Sequence, residues 1–448
     1  MQRSGVRSSS SPPQNFKGLE KVVFSRPFFY LNLSLSFYSG WGFCIKSMCL
    51  GNSSFLGSAH RLHVVLIDVW RVVNAKGGTE KVFCDMANAL ASQGFEVSAI
   101  CFDENKGLPG YPLDSSVRFI NAHNDSSDSF FDKKFVEKMR AWSFNKTQRK
   151  INRFILKTRK YQEGIQRVLE RLKKVDIFIS YQCETTFVLR ELLNVTTPIV
   201  TMLHANPGYY WNNPLFPVIK KAVEKSNVVQ VLLPEFVEEA RQYVKDVPII
   251  VIPNVAPQYK EFANIGKKKI INIARLDLQK DPELLVRAFA LLKNQYPDWI
   301  CEWWGEITVN PTLTKRIKKL ITIKGLEGRF LLKGVTDDVS SKLQDASIFA
   351  FPSIFEGFGI ALAEGLAMGL PAVGRKDCPA VSTLIRDGEN GFLTDSTPQA
   401  FAEGLARLME SEELRYQLGT QGKEDMKAYS AERVWGAWGR LIHDLVRK

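Results

Sequence analysis

Two glutamates, Glu356 and Glu364, stand with seven residues between them in the run Phe351-Pro-Ser-Ile-Phe-Glu-Gly-Phe-Gly-Ile-Ala-Leu-Ala-Glu-Gly-Leu-Ala-Met-Gly-Leu-Pro371. The run reads as a strand end, a short loop and a helix start. Gly357 and Gly359 let loop amides come close to a ligand, and the helix turns its positive end to the same place. Such amides suit a diphosphate, while carboxylates are better acceptors for sugar hydroxyls. Together they fit a nucleotide sugar; an ordinary strand-turn-helix with a capping Glu is the competing reading.

Three further groups could share that chemistry. Ile270-Ile-Asn-Ile-Ala-Arg-Leu-Asp-Leu-Gln-Lys-Asp281 reads as a strand whose end delivers Arg275 and Lys280. Arg in a forked contact and Lys as a point charge can neutralise a diphosphate, although two solvated surface cations would look the same. Asn74-Ala-Lys-Gly-Gly-Thr-Glu80 is a glycine turn before a helix, with Thr79 as N-cap and Glu80 near the dipole. It lacks the glycine spacings of the dinucleotide fingerprint and of the P-loop, so hydride transfer and P-loop hydrolysis have no support. Of five histidines, His204 ends an apolar run, in Thr201-Met-Leu-His-Ala-Asn206, where a structural role competes with a catalytic one.

These residues need a scaffold, and the chain's rhythm supplies one. His63 to Val69 reads as a buried strand, Glu80 to Gln93 as a helix closed by Gly94, and Glu96 to Phe102 as the next strand. Short β-rich runs recur at Asp176, Pro198, Val228 and Ile249. After a lysine-rich linker the alternation restarts at Ile270, then continues at Ile300, Phe330, Ser347 and Pro371 with helices between. The expected fold class is α/β: two doubly wound Rossmann-like domains, 61–258 and 270–429, joined by a linker at 259–269. Ligands of such folds sit at the strand C-termini, here in the cleft between the domains. The stretch 430–448 reads as a helix with Ser430 as N-cap and Val434, Trp435, Trp438, Leu441, Ile442 and Leu445 at helical spacing. Residues 1–60 read as an extension without chemistry.

Composition narrows the class. At 448 residues, one small domain is excluded, and seven scattered cysteines without a Cys-x-x-Cys pair suggest neither a disulfide framework nor a zinc site. No apolar run is long enough to span a membrane. Lys133 to Lys174 carries 15 Lys and Arg against three acids, a local +12 within a net +13. Phe154, Ile155, Tyr161, Ile165, Val168 and Leu172 recur there at roughly helical intervals. That pattern suits either a helix lying on an anionic membrane or one packing its stripe on the first domain.

The chain resembles the retaining glycosyltransferases of family four, which have the GT-B fold, from about residue 63 onward and most strongly from Ile270 to Asp395. The paired glutamates match Glu356 and Glu364, the phosphate-binding cations match Arg275 and Lys280, and the Gly-Gly-x-Glu loop matches Gly77, Gly78 and Glu80. The resemblance implies that Glu364 holds the ribose, Glu356 the transferred sugar, and the amides of Gly357, Phe358, Gly359 and Ile360 the donor. It places His204 near donor sugar and acceptor, and has the C-terminal helix cross back to the first domain. Where many members carry Gly-x-Gly, this chain reads Trp303-Trp-Gly-Glu-Ile307, with one glycine. The implied reaction is metal-independent transfer with retention and no cofactor. The sugar would move from a UDP- or GDP-linked donor to a glycan or glycolipid acceptor of lipopolysaccharide, capsule or a related polysaccharide. A cytoplasmic enzyme, peripheral on the inner membrane face and with no nucleic-acid partner, is the expectation. Two rivals are a nucleic-acid binder acting through the basic segment and a non-hydrolysing nucleotide-sugar epimerase on the same fold.

Overall fold

The computed structural model describes residues 61–125 and 145–447. The extension 1–60 and the start of the basic segment, with Trp142 and Phe144, lie outside the described residues. Seven parallel strands form the first sheet: β1 (His63–Asp68), β2 (Glu96–Cys101), β3 (Arg118–Asn121), β4 (Ile177–Ser180), β5 (Ile199–Met202), β6 (Val228–Val231) and β7 (Ile249–Val251). Their order is β3-β2-β1-β4-β5-β6-β7. All six residues of β1 are buried, as expected of a central strand covered on both faces by helices. Among the described residues, the α-helices of this half are α1 (Gly78–Ser92), α2 (Lys146–Arg171), α3 (Cys183–Phe187), α4 (Pro207–Trp211), α5 (Phe216–Glu224) and α6 (Glu235–Tyr243).

Six more parallel strands form the second sheet: β8 (Lys269–Ile273), β9 (Ile300–Trp304), β10 (Phe330–Gly334), β11 (Ile348–Phe351), β12 (Ala372–Arg375) and β13 (Gly391–Thr394). The order β10-β9-β8-β11-β12-β13 repeats that of the first sheet with one strand fewer. Both sheets therefore reverse their winding beside the first strand, between β1 and β4 and between β8 and β11, where such folds open a crevice. The helices are α7 (Pro282–Leu292), α8 (Pro311–Ile323), α9 (Val339–Gln344), α10 (Ile360–Ala367), α11 (Pro379–Leu384), α12 (Pro398–Glu410), α13 (Glu412–Asp425) and α14 (Ala431–Val446). Five of their N-termini are closed by side chains: Asp281 accepts from Leu284 N (3.2 Å), Asn310 from Leu313 N (3.1 Å), Asp338 from Ser341 N (3.0 Å), Thr397 from Ala400 N (3.2 Å) and Ser411 from Leu414 N (3.1 Å).

The last helix leaves the second sheet's layer and returns to the first. Val434, Trp438 and Ile442 of α14 are buried in the core built around β1, β2 and α1. Gln93 Nε2 donates to the Trp435 carbonyl at 3.1 Å, and Phe95 packs on His443 with ring centres 5.1 Å apart. Below it, Ala256 N donates to Tyr429 O (2.9 Å) and Gln258 Nε2 to Met426 O (3.0 Å), so the two segments that run between the halves lie side by side.

Two expected caps differ. Gly77, not Thr79, occupies the N-cap of α1, because Gly77 is still extended (φ −139°) and the helix begins two residues earlier. Ser430 does precede α14, but its side chain makes no capping hydrogen bond. Of the two readings of the apolar stripe in the basic segment, packing is the one found. Tyr161, Ile165, Val168 and Leu172 are buried in the first half's own core, and Phe154, with Ile155 partly buried beside it, joins the core that runs on into the second half. The amphipathic period of α2 thus serves folding, and only its cationic face looks outward.

Candidate functional site

On the second half, β8 and β11 stand side by side, tied by Asn272 Nδ2 donating to the Ala350 carbonyl at 2.7 Å. Beyond β8 the chain closes a 3-10 turn, Leu278–Lys280, started by Asp277, whose carboxylate accepts from Leu278 N at 2.6 Å. This turn zips onto the loop after β11: Ile354 N donates to Gln279 O (2.8 Å) and Gln279 Nε2 to Phe355 O (2.7 Å). Lys280 Nζ is thereby set 2.5 Å from Glu356 Oε1 and 5.9 Å from the centre of the Phe351 ring, with both charged side chains largely buried. A positive charge held on an aromatic floor and oriented by a carboxylate is a preorganised partner for phosphate or sugar oxygens.

The loop then enters α10 through Gly359 in the left-handed region (φ 85°), a conformation glycine adopts freely. No side chain caps α10, so the first-turn amides are not engaged by a capping group. Glu364 lies on the second turn. Burial pushes its carboxyl up, Lys81 of α1 draws it down and Asp85 pushes it up again, so it faces the first half of the chain. Arg275 is exposed, and its charge opposes the upward push that burial gives Glu80 across the seam. The single glycine of the Trp303–Ile307 stretch has a close neighbour: a Cβ on Gly305 would lie 2.1 Å from Ala274 O. That approach holds the end of β9 against the end of β8.

The first half presents His204 just beyond β5. Burial holds its imidazole down at about 4, so the ring is neutral at neutral pH. Although the residue is only half-buried, Nε2 is enclosed and has no protein hydrogen-bond partner. The ring stacks on Tyr181 (centres 4.8 Å, planes 24°), and the His204 amide donates to the Tyr210 hydroxyl at 3.0 Å. Gly77 and Gly78 open α1, and a Cβ on Gly78 would come 3.1 Å from Ile360 Cδ1 at the head of α10. A Cβ on Gly357 would lie 2.0 Å from the His204 carbonyl oxygen. At the rim, Lys76 Nζ pairs with Asp337 Oδ1 at 2.7 Å. The fold thus gathers Gly77, Gly78, His204, Arg275, Lys280, Glu356 to Ile360 and Glu364 along one seam.

Sequence reasoning missed several groups there. Asp68, the last residue of β1, is buried and its carboxyl is pushed up to about 7, first by burial and then by Glu80 and Glu184; the Trp70 amide, donating at 3.0 Å, opposes this. Burial also raises Glu184, against the pull of Lys157. The available signal was an acid ending an otherwise apolar buried strand. Asp281 and Arg375, behind Lys280, were likewise overlooked.

Two parallel sheets of one strand order, meeting at their C-terminal edges with a returning last helix, define a GT-B fold. Sucrose-phosphate synthase from Thermosynechococcus elongatus superposes with a TM-score of 0.71 at 17% identity, covering 86% of this chain and 99% of the other. The pneumococcal O-GlcNAc transferase GtfA, in complex with UDP and GlcNAc, gives 0.67 at 14% identity, covering 87% and 100%. In sequence, the profile described as "Glycosyl transferases group 1" matches residues 257–425. An uncharacterized glycosyltransferase of Haemophilus influenzae is 25% identical over 377 residues, 83% of this chain and 97% of its own length. A Campylobacter jejuni enzyme, N-acetylgalactosamine-N,N'-diacetylbacillosaminyl-diphospho-undecaprenol 4-alpha-N-acetylgalactosaminyltransferase, is 29% identical over 184 residues, 41% of this chain and 48% of its own. The segment bearing Arg275, Lys280, Glu356 and Glu364 falls within the matched profile, and these likenesses together support a glycosyltransferase of the family-four type.

Proposed function

We propose that this chain is a retaining hexosyltransferase that moves a sugar from a nucleotide-sugar donor, UDP-linked in preference to GDP-linked, to a hydroxyl of a surface-glycan precursor. The observation that carries this reading is the Lys280–Glu356 pair, 2.5 Å apart at the uncapped head of α10. Lys280, Arg275 and the α10 amides would take up charge developing on the leaving diphosphate, while Glu356 and Glu364 accept donor hydroxyls. Arg275 reaches the seam from the strand end, where its field is felt at Glu80. Neutral His204 can accept or donate one hydrogen bond at Nε2. With no protein nucleophile in this reading, the departing phosphate oxygen accepts the acceptor hydroxyl's proton on the face it leaves. The charge is carried without a metal.

The Campylobacter enzyme named above, a poly(glycerol-phosphate) alpha-glucosyltransferase of Bacillus subtilis and the UDP-bound structural neighbours support a nucleotide sugar and a cell-envelope acceptor such as lipopolysaccharide or capsule. The outward cations of α2, among them Lys150, Arg153 and Arg159, support docking on an anionic membrane face by charge alone, worth about 1 kcal/mol per well-placed cation. A panel of UDP- and GDP-sugars, read by release of the nucleoside diphosphate and NMR of the product, tests the reaction; an inverted anomeric centre would reject it. Flotation with phosphatidylglycerol vesicles tests the docking, and equal binding to phosphatidylcholine would dismiss it.

A further inference from the structure

Asp281 follows Lys280 directly and adopts the left-handed backbone (φ 41°, ψ 57°). That region costs an ordinary L-residue roughly 1–2 kcal/mol, and Asp tolerates it where its carboxylate finds local partners. Both oxygens are engaged. Oδ1 accepts from Leu284 N at 3.2 Å, capping α7, and Oδ2 accepts from Arg375 Nη1 at 3.0 Å. Arg375 ends β12, is 8% exposed, and donates through Nε and Nη2 to the two oxygens of Asp377 at 2.8 and 2.6 Å. The bidentate contact fixes the plane of the guanidinium and leaves Nη1 one direction. One residue past Asp377, the Cys378 thiol feels the charge of Glu356. The Arg375 turn therefore lies behind both members of the Lys280–Glu356 pair.

We propose that Arg375 is a positioning residue of the donor site: by holding Asp281 in its left-handed turn, it fixes Lys280 against Glu356. The proposal rests on the donor-site reading above. A lysine at 375 would supply charge without the fork and could not hold Asp377 and Asp281 in one plane. Misplacing a charge by an ångström at a preorganised site costs on the order of 10²-fold in rate.

The test uses the full chain, with UDP-glucose, UDP-N-acetylglucosamine and GDP-mannose as donors and thermal shift with UDP and GDP as a second readout. Arg375→Ala is expected to lower kcat about 10- to 100-fold and weaken nucleotide binding, with acceptor KM within about twofold. Glycine adopts positive φ freely and is nearly as good an N-cap as Asp. In an Asp281→Gly background, the same arginine change is therefore expected to cost about threefold or less. An equal loss in both backgrounds would overturn the proposal, as would wild-type kcat and nucleotide binding in Arg375→Ala. Lys280→Ala separates the two readings: if it is inactive while Arg375→Ala is normal, only this inference fails, and if it is fully active the donor-site reading fails too. Should Arg375→Ala unfold at the assay temperature, Arg375→Lys carries the same comparison in both backgrounds.

Discussion

Gly357 and His204 touch backbone to backbone across the seam, and a single methyl group on Gly357 would sit 2.0 Å from the His204 carbonyl oxygen. No side-chain rearrangement relieves that contact, because the obstructing atom belongs to the main chain. The loop after β11 and the strand end carrying His204 can meet this closely only with glycine at this position.

Gly357→Ala is therefore expected to hold the two halves apart. Transfer is expected to fall about 10²-fold or more, as for other displaced catalytic groups, while thermal stabilisation by the nucleoside diphosphate is largely kept, since the ligands proposed for it lie on one half. Normal turnover by this variant would mean that the close approach is not used in the reaction.

Lys280→Ala and Glu356→Gln each remove one member of a largely buried ion pair. Each is expected to cost about 10²-fold or more in kcat. Lys280→Ala also leaves an unpaired buried carboxylate, which is strongly destabilising, by about 3–5 kcal/mol for a fully buried pair and less here. Chemical denaturation beside the transfer assay separates the two effects: Glu356→Gln is expected to lose activity with the smaller change in stability.

Asp68 and His204 bend the pH dependence of stability in opposite senses. Asp68 has a folded value of about 7 against an ordinary 3.8, so the native state holds a proton that the unfolded chain has released, and stability falls as pH rises from 4 to 7. His204 has a folded value of about 4 against 6.5, so the unfolded chain binds the proton first and stability rises over pH 4 to 6.5. The limits are about 4 and about 3 kcal/mol respectively, and they nearly cancel. Asp68→Asn keeps an acceptor for the Trp70 amide and removes the titrating carboxyl. Urea titrations are expected to show this variant more stable than wild type at pH 8, with stability rising from pH 4 to 6.5.

Trp438 is 1% exposed in the core shared by α14 and the first sheet. Trp438→Ala is expected to cost about 3–5 kcal/mol, read as a lower urea midpoint. Far-UV circular dichroism should keep most of its signal, because α14 is one helix among many.

The alternation of apolar runs and amphipathic helices made the two α/β halves readable, and Ile300–Trp304 and Phe330–Gly334 fall where the apolar runs put them. Less was visible where the signal is short: β3, four residues with two only partly buried, carries no run long enough to stand out. The two faces of α2 illustrate another limit, since periodicity reports that a helix has an apolar side but not what covers it. Glu356, Lys280 and His204 were readable because they belong to dense local motifs. The Asp281–Arg375 contact joins residues 94 apart in the chain, and only the register of β8, β11 and β12 brings them together.

The paired crossings between the halves carry a mechanical consequence. Because Ala256 is bonded to Tyr429 and Gln258 to Met426, the two connections act as neighbouring leaves of one door hinge rather than as separate tethers. Opening the seam bends both about a common line, whereas twisting one half against the other would shear those hydrogen bonds. Of these two motions the bend is the one that spares the hydrogen bonds, and it is the one that would carry Gly357 to and from the His204 carbonyl.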